Sequence, residues 1–596
     1  MRLIHKVVTA SVLAFGLCLL VGLWIYDAKM IQPHRMDMEE ILNTANVNDR
    51  TPPASVRARL AGDNPGMLRL RFRVAQQLVG QFIPGPQPGA HALHPGAPAQ
   101  QPGAGDWRTT LHTALWGTLI GFHRSADDLI GMYCTLTLHG CGGTTQTLEL
   151  SPCNLTAVYT PARCGTFDVL ENPQRPEGRH LSISVVVLPA TSKRAQPDPI
   201  VVLAGGPGED AISAAADSAQ QFASLHEDHD ILLVDQRGAA HSAPLHCDLF
   251  SPEDPAISLR DLFPVAAIKR CAQQLGQQAD LTQYSYSHFA NDLEQVRRAL
   301  GYGPLNLSAG SYGTRAAQVF IRTHPDSVRT AYLGSVVPID VAIPGPFTTT
   351  SQAALEKMFD ACLADRDCQA AFPNLRAEFA SVVARLDAGK AQVLLPGSTL
   401  TAVLDRGRVA EWFRSRLYRP HTAVNLPWLI HQAYGGDWGA IRDGILANAQ
   451  AADSALSFGL LFTITCSTDV PFVNDQDLGA NVQATFLRDY RLRQQQAACA
   501  AWPKFPVTAG DRMPIHSPVP TMFVSGDSDG GTPLSFMEHA AQGFTNHIEL
   551  IQQNQGHTEW NECVSKKYDE FVRSGSVAGI RTDDCKPERR PPFKTN

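Results

Sequence analysis

From about Cys153 onward the chain repeats one pattern: a short, nearly unbroken apolar run, a turn, then a helical stretch. The runs are "LSISVVVLP", "PIVVLAGGPG", "DILLVDQRG", "LNLSAGSYG", "RTAYLGSVVP" and, much later, "PTMFVSGDSDGG" and "HIELIQQNQGH". Strands with one wet face would alternate apolar and polar residues; unbroken runs need cover on both faces, and the intervening helices supply it. The pattern predicts a doubly wound, mostly parallel α/β sheet. At 596 residues the chain exceeds what one compact core holds. Between 341 and 510 the strand signals fade and helical segments such as "SQAALEKMFDACLA" dominate, which reads as a helical lid inserted between a first part of the core, 150–340, and a last part, 511–596.

The other end of the chain bears on compartment. Arg2, His5 and Lys6 precede an apolar run from Val7 to Tyr26, long enough to span a bilayer. Residues 1–29 are therefore expected to be an uncleaved signal anchor, with a cleaved signal peptide as the competing reading. Either way the bulk of the chain lies outside the cytoplasm, on a periplasmic or extracellular face. Residues 30–145 read as a small helical region interrupted by a proline- and glycine-rich linker over 84–106. Of the 13 cysteines, Cys18 falls in the apolar run and the other twelve group as sequence neighbours: Cys134/Cys141, Cys153/Cys164, Cys247/Cys271, Cys362/Cys368, Cys466/Cys499 and Cys563/Cys585. An even count in an oxidising compartment predicts disulfides, and no spacing calls for zinc; neither metal nor cofactor is expected. A net charge of -7 gives no pull toward nucleic acid.

In a doubly wound sheet, chemistry collects where the strands end. Four turns carry suitable residues. Ala204-Gly205-Gly206-Pro207-Gly208 follows "IVVL" and exposes backbone N–H groups. Ser311 follows "LNLSAG" on a strand-to-helix turn. Asp529 follows "TMFVSG", with Asp527 as a rival, and His557 follows "IELIQQNQG". A serine hydroxyl is a poor nucleophile unless a base takes its proton, and an acid must orient that base; Ser311, His557 and Asp529 fit those roles in the order Ser, Asp, His. The N–H groups of Gly206 and Tyr312 are the candidate oxyanion hole. Asp235 and Arg237 in "DQRG" read as a structural pair.

The segments "LAGGPGED", "DILLVDQRGAAHS", "NLSAGSYGTR", "SGDSDGGTP" and "QGHTEW" together resemble the prolyl and tripeptidyl aminopeptidase branch of the α/β-hydrolases, in its exported, TAP-like form. The likeness runs from about Cys153 to Cys585 and includes a cysteine soon after the histidine, Cys563. It implies an α/β-hydrolase fold with a helical lid, and a serine peptidase that removes residues from the free amino termini of peptides. It also implies an acidic side chain that anchors the substrate ammonium: Asp469 in "CSTDVPF", with Glu209 and Asp210 as further candidates. Two departures stand out: Ala309 where the elbow's first glycine is usual, and the charged Glu209-Asp210 pair after the oxyanion loop. A carboxylesterase using the same triad, and a catalytically silent envelope-binding protein, are the alternatives.

Overall fold

The computed structural model describes residues 147–251, 254–474, 478–479 and 481–596. The expected anchor, the helical region and linker, Cys18 and the Cys134/Cys141 pair lie outside the described residues. Nine strands form one sheet: β1 Ser151–Cys153, β2 Ala162–Leu170, β3 His180–Leu188, β4 Ile200–Leu203, β5 Ile231–Val234, β6 Leu305–Gly310, β7 Val328–Gly334, β10 Thr521–Gly526 and β11 His547–Gln552. Their order is β1-β2-β3-β5-β4-β6-β7-β10-β11. The pairings from β5 through β11 are parallel, and the antiparallel pairings, β1 with β2, β2 with β3 and β3 with β5, lie at one side.

The unbroken apolar runs are explained by the two faces they serve. In β5, Ile231 and Leu233 enter one core cluster while Leu232 and Val234 enter the other. All four are at most 2% exposed, and each such side chain contributes about 1.5–3 kcal/mol. Helices cover both sides. Among those the site depends on are α1 Tyr286–Ala299 and α2 Gly313–Thr323 before the lid, and α7 Glu562–Ser574 at the chain's end. Val564, Tyr568, Phe571 and Val572 of α7 pack on the second face. Helix α2 is buried from Gly313 to Ile321 and stops ahead of Pro325, which disfavours helix in the residue before it.

The strand order turns at β4. From β4 the chain moves to β5 on one side, then returns to place β6 on the other, so the ends of β4 and β6 flank a crevice. Register keeps those ends level: Leu203 stands opposite Ala309, Gly310 opposite Gly334, and Gly334 opposite Val524. The turns after β4, β6, β10 and β11 therefore open onto one edge.

Between β7 and β10 lies a mainly helical stretch that includes α3 Phe347–Ala364, α4 Arg406–Arg416, α5 Phe458–Thr468 and α6 Tyr490–Cys499. It also holds an antiparallel hairpin, β8 Gln392–Leu394 with β9 Thr401–Val403. Sequence patterning assigns no strand there, because three-residue strands are too short to show a period; the turn residues Pro396 and Gly397, the latter at φ 66°, were the available signal. Disulfides Cys362–Cys368 and Cys466–Cys499 tie the lid, and Cys153–Cys164, Cys247–Cys271 and Cys563–Cys585 tie the sheet domain. These five are the neighbour pairings expected from the sequence. Among the described residues no single helix is long and apolar enough to cross a membrane.

Candidate active site

Strand β6 delivers the chain to a sharp turn at Ser311, whose φ of 53° lies in the left-handed region that costs a non-glycine residue about 1–2 kcal/mol. Its neighbours hold it there. Ser311 donates its N–H to Gly334 O at 2.9 Å, while its carbonyl accepts from Thr314 N and Thr314 Oγ1. Gly313 must be glycine, because a Cβ would overlap Leu203 O and stand 2.7 Å from Ala204 O. Ala309 needs no such freedom. It lies in the strand, paired with Leu203 and Leu333, with its methyl in the core, so the elbow forms although the usual first glycine is absent.

The loop after β11 brings His557 over the serine. Its N–H bonds Tyr418 O at 2.7 Å, and its ring lies 4.9 Å from the Tyr418 ring, so the lid helps to fix the imidazole. Gly556 permits this approach, since a Cβ there would overlap Tyr418 O. His557 Nδ1 is 2.8 Å from Asp529 Oδ2, and Nε2 is 2.8 Å from Ser311 Oγ. Asp529 also accepts from Gly531 N, Thr532 N and Thr532 Oγ1. Burial alone would raise its pKa, but the His557 charge and these donors hold it below the ordinary aspartate value, so it is a carboxylate. A carboxylate only accepts; Nδ1 therefore carries the proton, and Nε2 is free to accept from the serine hydroxyl. The rival Asp527 faces elsewhere, accepting from Asn554 N and Ser528 Oγ beside Lys357.

The glycine loop after β4 runs past the elbow, with Gly206 at φ 100° and Gly208 at φ 103°. Gly206 and Tyr312 line the same cavity as Ser311 and His557. Of the three acidic candidates for an ammonium anchor, Glu209 stands beside the serine. Its Oε2 and the Ser311 Cβ both lie within 3.5 Å of the point where a Gly205 Cβ would sit. Desolvation around its carboxyl raises the Glu209 pKa, against the opposing pull of His557.

The other two are turned away. Asp210 accepts from Ser213 N at 2.6 Å and lies 3.6 Å from His241. Asp469 is wholly buried, and both oxygens are fully engaged: Arg315 Nη1 and Ile343 N donate to one, Tyr312 Oη and Thr468 Oγ1 to the other. That leaves no acceptor for a substrate ammonium, so Asp469 serves to lock the lid to α2 rather than to meet substrate. Asp235 and Arg237 are both structural but do not pair with each other. Asp235 accepts from Ala211 N, Ile212 N and His241, whereas Arg237 forms a two-pronged ion pair with Asp292 of α1.

Residues 198–373 match the family model of the alpha/beta hydrolase fold, and residues 484–585 match that of the TAP-like protein family. The two matches fall on either side of much of the lid and cover the sequence around Ser311, Asp529 and His557. The chain carries the pair of matches, α/β-hydrolase fold and TAP-like, that supports the TAP-like branch of the α/β-hydrolases. Tripeptidyl aminopeptidase of Streptomyces lividans is 23% identical over 72% of this chain and 85% of its own length. Serine protease Hip1 of Mycobacterium tuberculosis is 30% identical over 32% of this chain and 40% of its own, and proline iminopeptidase of Aeromonas sobria 29% identical over 26% and 33%. The TAP-like hydrolase is a serine peptidase in class.

Its cavity, about 230 Å³, is closed on one side by lid residues that motif reading passed over. Arg408, Glu411 and Arg414 project from α4 at intervals of three, joined by Arg491 of α6. Arg414 holds Glu411 with two bonds, at 2.9 and 2.7 Å, and donates to Tyr418 Oη. Burial would raise the Glu411 pKa, but Arg414 and Arg491 keep it low and the group ionised. The signal was present in "RGRVAEWFRSRLYRP", where one helix face collects charges that a solvated lid surface would scatter.

Proposed function

We propose that this TAP-like hydrolase is an aminopeptidase that releases residues from the free amino termini of peptides through an acyl-enzyme. The carrying observation is the unbroken chain from Asp529 through His557 to Ser311, each link 2.8 Å, opening into the lid-covered cavity. Ser311 Oγ attacks the scissile carbonyl as His557 Nε2 takes its proton, while Asp529 holds the tautomer and stabilises the imidazolium. The N–H groups of Tyr312 and Gly206 bind the oxyanion. His557 then protonates the departing amine, and water, deprotonated by the same base, releases the acyl group. The names of the relatives support peptide substrates. Glu209 is the ammonium anchor: it is open to solvent beside the elbow, and its carboxyl supplies the counter-charge when a free amine binds next to Ser311. The five disulfides support a site outside the cytoplasm, with residues 7–26 as the anchor.

The test uses a free-amine peptide anilide and its acetylated twin. A charge-assisted contact is worth about 1.5–3 kcal/mol, roughly ten- to a hundredfold. The wild type should favour the free amine by that factor, and Glu209→Gln should erase the preference. Ser311→Ala should abolish turnover and labelling by a fluorophosphonate. Equal rates on both anilides would replace the aminopeptidase by an esterase or endopeptidase, and an unlabelled wild type would mean a silent binding protein.

A further inference from the structure

The lid wall of the cavity carries an unbalanced charge. Three guanidiniums, those of Arg408, Arg414 and Arg491, face it, against the single carboxylate of Glu411. Arg414 takes that carboxylate with both prongs. Arg491 reaches only its outer edge, at 3.3 Å from an oxygen already bonded at 2.7 Å, and its Nε is buried without an acceptor. Arg408 is 1% exposed, gives Nε to Ser258 O, and forms no ion pair among the described residues. Burial pulls the pKa values of both Arg408 and Arg491 down, the mark of cations short of a partner.

A buried guanidinium with no ion pair, Arg408, beside a second, Arg491, that shares one carboxylate with Arg414, is costly to keep as mere structure, since apolar side chains of similar size would pack at less expense. They are worth keeping if a ligand brings the missing charge. Resting on the aminopeptidase reading, we infer that Arg408 and Arg491 form a carboxylate-binding subsite, so that the enzyme selects peptides bearing an anionic carboxyl group within reach of Ser311. The planar guanidinium fork matches a carboxylate, and the cavity is shared with Ser311 and His557, so the anion is part of the substrate. Glu209 at the elbow and the arginines on the lid then give the cleft opposite signs at different places. An amino-terminal segment that carries an acidic side chain fits both.

The carboxylate has two sources, an acidic side chain in the released residues or the peptide's own C-terminus. Anilides have no C-terminal carboxylate, so free-amine glutamyl and glutaminyl anilides isolate the side chain. The wild type should favour the glutamyl substrate in kcat/KM by roughly ten- to a hundredfold. Neutral peptides compared with their C-terminal amides isolate the terminus, and a preference of that size for the free acid would assign the subsite to it. Arg408→Gln and Arg491→Gln should each bring the favoured ratio toward one. Fluorophosphonate labelling and Tm report whether each variant is folded, and the wild-type ratios need no variant. If neither comparison discriminates in the wild type, the subsite is refuted. If acetylated and free-amine anilides react alike while the glutamyl preference persists, the aminopeptidase reading fails and the subsite stands.

Discussion

Replacing Asp529 with asparagine tests the relay at its least exposed point, because the hydrogen bonds fix where the new amide must go. Oδ1 accepts from Gly531 N and Thr532 N, two donors that cannot turn, so the asparagine oxygen is held on that side. The NH₂ group then takes the place of Oδ2, 2.8 Å from His557 Nδ1. A donor there forces Nδ1 to accept, and the imidazole proton moves to Nε2, the atom that must receive the Ser311 proton. A base in the wrong tautomer costs about 10⁴ in kcat, or roughly 5–6 kcal/mol of transition-state stabilisation. The assay is steady-state hydrolysis of a peptide anilide, with Tm measured alongside to confirm folding. Asp527→Asn serves as the comparison and should stay within about tenfold of wild type. A folded Asp529→Asn enzyme with kcat within about tenfold of wild type would refute the assignment of acid and tautomer alike.

Gly313→Ala should lower stability by about 1–3 kcal/mol or more and slow fluorophosphonate labelling, since the added methyl meets the carbonyls of Leu203 and Ala204 and pushes the glycine loop off the elbow; wild-type Tm and labelling would contradict that packing. Glu294, buried on α1, carries the pH prediction. Burial would raise its pKa, but hydrogen bonds from Arg297 and Arg298 depress it to about 2. A depressed carboxylate stabilises the fold above its unfolded pKa of about 4.5 and loses that contribution as pH falls toward 2. Glu294→Gln should thus cost roughly 3 kcal/mol at neutral pH in urea unfolding, a gap that narrows as pH falls from 4.5. A gap constant with pH would overturn the assignment.

Much of this was legible because strands buried on both faces leave long apolar runs, and their ends mark where chemistry sits. Ser311, Asp529 and His557 could be placed for that reason, although 246 residues separate the first from the last. What failed to show was partnership across the fold. Asp469 looked available because nothing nearby in sequence neutralises it; its arginine lies 154 residues earlier, on α2. Asp235 and Arg237, two residues apart, looked paired and instead face different elements. The arginines of α4 and α6 carried no motif at all, and only the enclosed cavity gives their spacing a meaning.

The lid divides the relay along the chain: Ser311 precedes it, and Asp529 and His557 follow it. A ribosome adds residues in that order. When 510 residues have been made, the elbow and lid exist without acid or base, and β7 has a bare edge where Thr521 will later stand opposite Ala331. The last two strands thus extend the sheet and bring the carboxylate and imidazole to the serine. Until those strands dock, the serine hydroxyl has neither the imidazole nor the carboxylate beside it.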